Sequence, residues 1–287
     1  MRGRMADGRR RSPAAIIVMI VLALLWTLPT FGMLVTSFRS RTDAASSGWW
    51  AALVDPFETG WTLDNYQRVL ENTNLGGALV NSVVVAVPAT VLPIMFAAFA
   101  AYAFAFTRFP LKELFFVLIV ALMVVPIQVA FQPLLDLLGP RGLGISGDFV
   151  SVWLLHTGFG MPLAIYILRN YMSGLPTSVI ESAKIDGASH YQTFWRLVAP
   201  MSMPAIAAFA TLQFLWVWND LLIARLFLGG GSNTTVIVAL QQLLGTQGQG
   251  AELLTAGAFL SMLLPLIVFF SLQNFLVRGM TAGSVKG

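Results

Sequence analysis

Polar side chains inside long apolar runs are the first candidates for chemistry in this sequence. Gln213 interrupts one such run, and Trp216, Asn219 and Asp220 follow within it. Polar groups inside a membrane span are energetically expensive, so each is a candidate for lining a pathway. Aromatic rings beside amide and carboxylate groups suit a sugar, because its C–H faces stack on rings and its hydroxyls need donors and acceptors. These residues therefore predict a pathway for a polar solute.

Two further apolar runs carry polar candidates for the same pathway. His156 and Thr157 lie together in one of them. Gln128 and Gln132 stand at i and i+4 in the other, which predicts a shared helix face. A lone intramembrane histidine also commonly packs as a hydrogen-bond partner between helices, so both interpretations of His156 stay open. For Trp218 we favour an aromatic belt at the membrane surface over a sugar contact.

The sequence lacks the constellations that enzymes and metal sites require. Cysteine is absent, and the two histidines, His156 and His190, show no metal-ligand spacing. No GxxxxGK[ST] motif is present, so the chain does not bind ATP by that mechanism. Its positive residues flank the apolar runs, which indicates a topology signal rather than nucleic-acid binding. We therefore predict a non-enzymatic protein that binds no metal or cofactor itself.

The composition indicates a helical membrane protein. The 287 residues are 57% hydrophobic and 10% charged, with a mean hydropathy of +0.76. Several runs are long enough to cross about 30 Å of hydrocarbon. We predict an all-α polytopic fold, with a basic arm at 1–13 and a single transmembrane domain at 14–287. Its six predicted helices span 14–38, 78–106, 114–135, 149–171, 204–227 and 253–277.

Prolines and basic residues refine this picture. Each proline in a span invites a kink, and prolines in these runs include Pro29, Pro88, Pro93, Pro126, Pro162 and Pro265. Lys and Arg concentrate in the arm and in the segments after the second, fourth and sixth spans. By the positive-inside rule both termini are cytoplasmic.

In the first outer loop, WTLDNYQRVL places Leu63, Tyr66, Val69 and Leu70 at helical spacing, which predicts a short amphipathic helix.

The loop at 172–203, on the cytoplasmic side by this topology, has the signals of two short helices. Pro176 begins the first and Gly187 ends it. Ser189 caps the second, which ends near Pro200. Three aromatic residues crowd the second helix, so we expect an exposed apolar surface that needs a partner; they are Tyr191, Phe194 and Trp195. The alternative is a helix that rests on lipid headgroups.

The same loop resembles a known signature. Glu181-x-Ala183, then Gly187, then Leu197-x-x-Pro200 resembles the EAA loop of the permease subunits of binding-protein-dependent ABC importers. The wider run GLPTSVIESAKIDGASHYQTFWRLVAPMSMPA is similar to the carbohydrate-uptake branch and its six-span permease of the maltose G type. Segments of the fourth, fifth and sixth spans look similar to α-glucoside permeases. The resemblance implies the type I permease fold of ABC importers.

The resemblance also implies particular residue functions. In the family the loop couples to a cytoplasmic ATPase, and the matching positions are Glu181, Ser182, Ala183, Asp186, Gly187 and Pro200. Ser182 departs from the alanine of the signature but is small enough to keep the packing. The C-terminal tail of such permeases reaches between the ATPases, which matches Ser284, Val285, Lys286 and Gly287. A loop that displaces sugar from the binding protein matches Gln247, Gly248, Gln249 and Gly250.

The function that follows is ATP-driven sugar import across the bacterial cytoplasmic membrane. The resemblance implies a second, larger permease of the maltose F type, two ATPases that bind ATP and Mg, and an extracytoplasmic sugar-binding protein. It favours an α-glucoside or another oligosaccharide as substrate. The alternative is an ion-driven secondary transporter of small solutes. That class needs deep acidic groups or an inverted repeat, and Asp220 is the only carboxylate within the six predicted spans.

Overall fold

The computed structural model describes residues 12–229, 231–243 and 250–282 of the chain. Regular structure within these ranges is helical, which confirms the predicted all-α class there. By internal contacts the helices form two compact units. The first unit lies in Met1–Thr73 and Leu243–Phe259, and the second in Asn74–Gln242 and Leu260–Gly287. The single domain over 14–287 stays a prediction.

The first unit is built on one long apolar helix, α1 (Pro13–Ser37). Three short helices follow it along the chain: α2 (Arg41–Ser46), α3 (Ala51–Val54) and α4 (Asp64–Asn72). Helix α4 confirms a short helix in WTLDNYQRVL. Of its predicted apolar face, Val69 is buried and Tyr66 half-buried, whereas Leu63 and Leu70 are exposed.

The second unit contains the long helices of the second and fourth spans and the loop at 172–203, and the helix Ala251–Ala282 is divided between the two units. Two long helices, α5 and α8, form its core together with α12. Small residues at their interface, such as Ala97, Ala101 and Ala164, are fully buried and let the backbones approach closely. In chain order the helices are α5 (Leu75–Phe106), α6 (Lys112–Ala121), α7 (Phe131–Leu138), α8 (Phe149–Ser173), α9 (Thr177–Ile185), α10 (His190–Thr193), α11 (Ala199–Met201), α12 (Met203–Trp218), α13 (Leu222–Phe227), α14 (Val236–Leu243) and α15 (Ala251–Ala282).

Membrane-spanning length is reached in two ways. Four helices are long and apolar enough alone: Pro13–Ser37, Leu75–Phe106, Phe149–Ser173 and Ala251–Phe275. Two bent helix pairs meet the same criterion as pairs, so the described residues hold up to six spans. The four single helices and the first bent pair overlap predicted spans, whereas the second pair, His190–Met201 with Met203–Trp218, begins inside the predicted loop 172–203 and ends before the predicted end at 227.

The third predicted span, 114–135, is not one straight helix. The segments Lys112–Val124 and Ile127–Leu138 meet at an angle of 93°. Val125 is extended, with φ −74° and ψ 121°, because the ring of Pro126 disfavours helical geometry in the residue before it. Gln128 lies in a 3-10 turn, Ile127–Ala130, which runs directly into α7 with Gln132, and both side chains are exposed; their sharing of a helix face stays a prediction.

The fifth predicted span, 204–227, is also interrupted. Helix α12 ends at Trp218 and α13 begins at Leu222. In the break, the Asp220 carboxylate accepts the backbone N–H of Ala224 at 3.0 Å. Asp and Asn side chains compete with the helix for backbone groups, which explains why the helix stops here. At its other end, α12 makes a 71° bend with the helical stretch His190–Met201.

Candidate transport pathway and the 172–203 loop

A cavity of about 670 Å³ opens beside the bend of the third span. The broken helix pair, α8 and α12 each contribute to its wall. None of the lining residues within the described ranges is charged, and Gln213 supplies a side-chain amide among mostly apolar groups. The lining residues are Leu122, Met123, Val125, Ile127, Ala130, Leu134, Leu154, Leu155, Gly158, Phe159, Gly160, Pro162, Leu163, Gln213 and Trp216.

Gln213 is held in a fixed orientation at this cavity. Its Nε2 donates to the backbone carbonyls of Ala89 at 3.1 Å and of His156 at 3.3 Å. Gly160 provides the room, because a Cβ at that position would lie 2.7 Å from Gln213 Nε2. Three helices, α5, α8 and α12, thus meet at one buried amide. A buried amide with both donor contacts made by backbone oxygen is well defined in position.

His156 and Asp220 form a polar contact next to the cavity. His156 is fully buried, and its Nε2 lies 3.7 Å from Asp220 Oδ2. Its ring meets that of Trp216 edge to face, with centroids 5.1 Å apart. Within the described residues neither ring nitrogen has a hydrogen-bond partner. His156 of α8 thus contacts Trp216 of α12 and Asp220 in the break that follows α12.

The predicted pathway residues are only partly brought together. Gln213 and Trp216 line the cavity, whereas His156 and Asp220 lie behind Trp216. Gln128 is exposed outside this wall, and the exposed Asn219 donates to the carbonyl of its own turn. The aromatic-belt interpretation of Trp218 is wrong, because its side chain is 3% exposed and stacks on Phe214.

The glycines of α8 are functional candidates that the sequence interpretation missed. Gly158 and Gly160 both line the cavity, and Gly160 makes the space for Gln213. Phe159 lies between them in the same wall. Glycine in a transmembrane helix marks close approach by a neighbour, so the GFG motif was a usable signal. Which neighbour approaches depends on how the helices pack.

The 172–203 loop confirms the predicted helix signals. Helix α9 ends in a Schellman motif: Gly187 N–H donates to Lys184 O at 3.1 Å and Ala188 N–H donates to Ala183 O at 2.9 Å. Gly187 has φ +79°, a conformation that glycine adopts readily. Ser189 caps the next helix in a capping box with Gln192.

The aromatic residues of the loop divide into two groups. Tyr191 and Trp195 are exposed, as is Ile185 at 86%. Phe194 is 3% exposed, so its predicted place on an exposed surface is wrong. It packs against Phe99 of α5, with ring centroids 4.6 Å apart. A π-helical turn at Phe194–Val198 accompanies this inward position.

A hydrogen bond fastens the loop to the second span. Tyr102 of α5 has its hydroxyl 2.9 Å from His190 Nδ1, at the first residue of α10. The same tyrosine contacts Phe194 edge to face, at 5.5 Å between centroids. The loop is therefore anchored to α5 on one face and exposed on the other.

The remaining predicted site residues lie on the exposed face or outside the described ranges. Within the described part of the chain, Glu181 and Asp186 are exposed and take part in no ion pair. Ser182, Gly187 and Pro200 are exposed, and Ala183 is half-buried. Gly250, with φ +90°, directly precedes α15. Outside the described residues lie Gln247, Gly248, Gln249, Ser284, Val285, Lys286 and Gly287.

A metal centre is not indicated by the side chains in the described ranges. No group of three His, Cys, Asp or Glu side chains there is placed to hold an ion. The contacts observed at the site are aromatic packing and hydrogen bonding. Such a site suits passage of a solute and transmission of motion.

Comparison with known proteins gives a consistent set of relatives. The family of binding-protein-dependent transport system inner membrane components matches residues 93–282. The osmoprotective compounds uptake permease protein GgtD of Synechocystis sp. is 51% identical over 94% of this chain and 91% of that protein. The alpha-glucoside transport system permease protein AglG of Rhizobium meliloti is 39% identical over 97% of this chain and 99% of that protein. A bacterial ABC transporter involved in the import of the acidic polysaccharide alginate has a chain of similar fold, with a TM-score of 0.71 at 18% identity, covering 96% of this chain and 99% of that one.

Proposed function

Because this chain belongs to the inner membrane components of binding-protein-dependent transport systems, we propose that it is the permease subunit of an ABC importer for a neutral α-glucoside. Its partners are a second permease of the maltose F type, two ATPase subunits and an extracytoplasmic sugar-binding protein. ATP and Mg bind to the ATPases, and this chain has no ATPase site of its own. It lies in the bacterial cytoplasmic membrane with both termini in the cytoplasm.

The 172–203 loop is the observation that carries this proposal. Gly187 of its signature ends one helix, Ser189 caps the next, and Ile185, Tyr191 and Trp195 are exposed. Exposed large apolar groups beside the free carboxylates of Glu181 and Asp186 suit a protein partner with an apolar cleft and basic groups. A cytoplasmic ATPase of the importer is such a partner.

Movement of this loop reaches the cavity by two routes. Through the bend at Ser202 the stretch His190–Met201 leads directly into α12, which carries Gln213. Through Tyr102 the loop is tied to α5, which carries Ala89, a hydrogen-bond acceptor of Gln213. When the ATPases close and displace the loop, both supports of the Gln213 amide move. In this mechanism ATP binding opens the path outward and hydrolysis resets it inward.

The cavity favours an uncharged substrate. Trp216 and Phe159 offer ring faces for sugar C–H groups, and Gln213 offers an amide. The part of the lining that the structure describes has no Lys, Arg, Asp or Glu to pair with a charged solute. A neutral glucoside fits this chemistry better than an acidic polysaccharide. Similarity to AglG, a permease of an alpha-glucoside transport system, supports a substrate that contains an α-linked glucose unit.

Two terminal and loop functions extend the proposal by family resemblance. The tail Ser284–Gly287 reaches between the ATPases, and the segment Gln247–Gly250 contacts the binding protein.

The ion-driven alternative receives no support from these relatives, because those compared are permeases of binding-protein-dependent or ABC systems.

The substrate test uses the complete importer reconstituted in proteoliposomes, with ATP hydrolysis as the readout. Binding protein is added with an α-glucoside such as sucrose or trehalose, with the β-glucoside cellobiose, with zwitterionic glycine betaine, or with an acidic alginate oligosaccharide. We expect the α-glucosides to stimulate ATP hydrolysis and the others to leave it near its basal rate. Stimulation by betaine or alginate alone would contradict a neutral-sugar importer.

The coupling test compares two exposed apolar positions in the same complex. Ile185→Asp places a charge on the 172–203 loop, and we expect it to abolish stimulation while the complex still assembles. Leu111→Asp is the matched control, because Leu111 is exposed and its φ of +57° suits aspartate. The control should keep full stimulation. Full stimulation in the Ile185→Asp complex would show that this loop is not the ATPase contact.

A further inference from the structure

Residues 48–61 of the first unit, the 48–61 segment, carry an unusual density of exposed aromatic and aliphatic groups. The sequence GWWAALVDPFETGW supplies three tryptophans and a phenylalanine. The most exposed apolar residues are Val54 at 73% and Phe57, which is fully exposed. Trp50 and Leu53, which precede Val54 in the chain, are also exposed. A patch of this kind on a folded loop marks an interaction surface.

Trp49 places the start of this segment beside the C-terminal turns of α1. Trp49 packs against α1, where its ring meets Phe31 edge to face at 6.0 Å between centroids. A Cβ on Gly32 would lie 2.7 Å from Trp49 Nε1, so the indole rests on the backbone of α1 there. Gly32 lies about 7 Å along the helix axis from the end of α1 at Ser37, at 1.5 Å per residue. The segment therefore folds back beside the last turns of a membrane-spanning helix.

The surroundings of that contact are apolar and uncovered. None of the most apolar window of α1 is buried, and Leu28, Phe31 and Met33 near its end are exposed. The exposed apolar side chains that follow Trp49 along the 48–61 segment are thus close in the chain to an uncovered apolar helix end. The segment contains no Lys or Arg, so attraction to anionic headgroups does not hold it. Tryptophan is enriched where hydrocarbon meets headgroups, since its ring is apolar and its N–H polar.

We propose that the 48–61 segment is a membrane-interfacial anchor, in which Trp50, Leu53, Val54 and Phe57 insert among lipid headgroups and upper acyl chains. The carboxylates of Asp55 and Glu58 are exposed and turn to the water side. The anchor fixes the loop that joins α1 to α5 at the membrane surface. This inference rests on the chain's being a membrane protein and is independent of its substrate and of ATPase coupling.

The chain is suited to a direct test because it contains no cysteine. Single Val54→Cys and Phe57→Cys variants are assembled into the complete transporter in nanodiscs and labelled with a nitroxide. Collision with membrane-soluble oxygen and with a water-soluble nickel chelate is then measured by electron paramagnetic resonance. Leu25→Cys in α1 gives the hydrocarbon reference and Gln67→Cys on α4 gives the water reference, because both native side chains are exposed.

We expect both test positions to collide with oxygen far more than with the nickel chelate, at a depth of about 5–10 Å below the headgroup surface. Accessibility equal to that of the Gln67→Cys label would place the segment in water and overturn the anchor. Labels that are immobilised and shielded from both reagents would show that a protein subunit covers the patch instead. Because all four positions are exposed, loss of folding does not complicate the comparison.

Discussion

The cavity and the 172–203 loop differ in which side chains are buried: polar groups are buried near the cavity, and large apolar groups are exposed on the loop. At the cavity, polar groups of Gln213 and His156 are buried among apolar helices. In the loop, large apolar groups such as Ile185 are exposed beside carboxylates. The cavity groups are positioned by contacts between distant helices, whereas the loop is shaped by caps and turns between near neighbours. The first arrangement suits a site inside one chain, and the second suits a surface completed by another chain.

The largest effect is expected when the local geometry of the loop is broken. Gly187→Val forces a β-branched residue to φ +79°, which costs at least about 1–2 kcal/mol and disfavours the native turn about tenfold. We expect substrate-stimulated ATP hydrolysis and uptake to fall by at least that factor. Assembly of the complex should persist, as checked by co-purification of the subunits.

Two variants control for this effect. Gly187→Asn should retain most coupling, since asparagine tolerates the left-handed region. Gly144→Val imposes similar strain at φ +67° in another loop, and it should leave the stimulation ratio unchanged. Normal coupling in Gly187→Val would show that the fold of the loop does not control the ATPase.

An intermediate effect is expected at the cavity, where packing between helices decides the geometry. Gly160→Ala pushes into the Gln213 amide and breaks hydrogen bonds to two backbone carbonyls, at a cost of about 1–3 kcal/mol. We expect a lower melting temperature of the purified chain and a severalfold slower uptake. The ratio of stimulated to basal ATP hydrolysis should change less than uptake does.

Gly158→Ala is the matched control on the same helix and in the same wall. A Cβ at Gly158 meets nothing within 4 Å, and alanine gains up to about 1 kcal/mol in helix propensity. The melting temperature should therefore stay level or rise. Equal losses in the two variants would mean that bulk in the cavity matters, rather than the Gln213 amide.

The smallest effect is expected at the break in the fifth span. Asp220→Asn keeps an oxygen that accepts the N–H of Ala224, so it should change stability by less than about 0.5 kcal/mol. Asp220→Ala loses that acceptor and should cost about 0.5–2 kcal/mol. Thermal melting of both variants separates the two contributions. A loss in Asp220→Asn as large as in Asp220→Ala would show that the charge facing His156 matters more than the cap.

The sequence alone determined those features that depend on near neighbours along the chain. Apolar runs of membrane length located the spans, and Gly187 and Ser189 marked a helix end and a helix start that the structure confirms. Caps, turns and periodicity act over a few residues, so their residue types suffice.

Tertiary structure decided which apolar and polar residues face one another. Pro126 predicted a kink in the third span. The angle of 93° at this kink, and the cavity beside it, depend on the helices that pack around the kink. Phe194 and Trp218 are buried against α5 and Phe214, although Trp195, of the same class, is exposed. Lipid is as apolar as a protein interior, so a hydrophobic pattern marks a span without telling its lipid face from its packed face. Only the arrangement of the helices made that distinction, and it brought Gln213, Gly160 and His156 together.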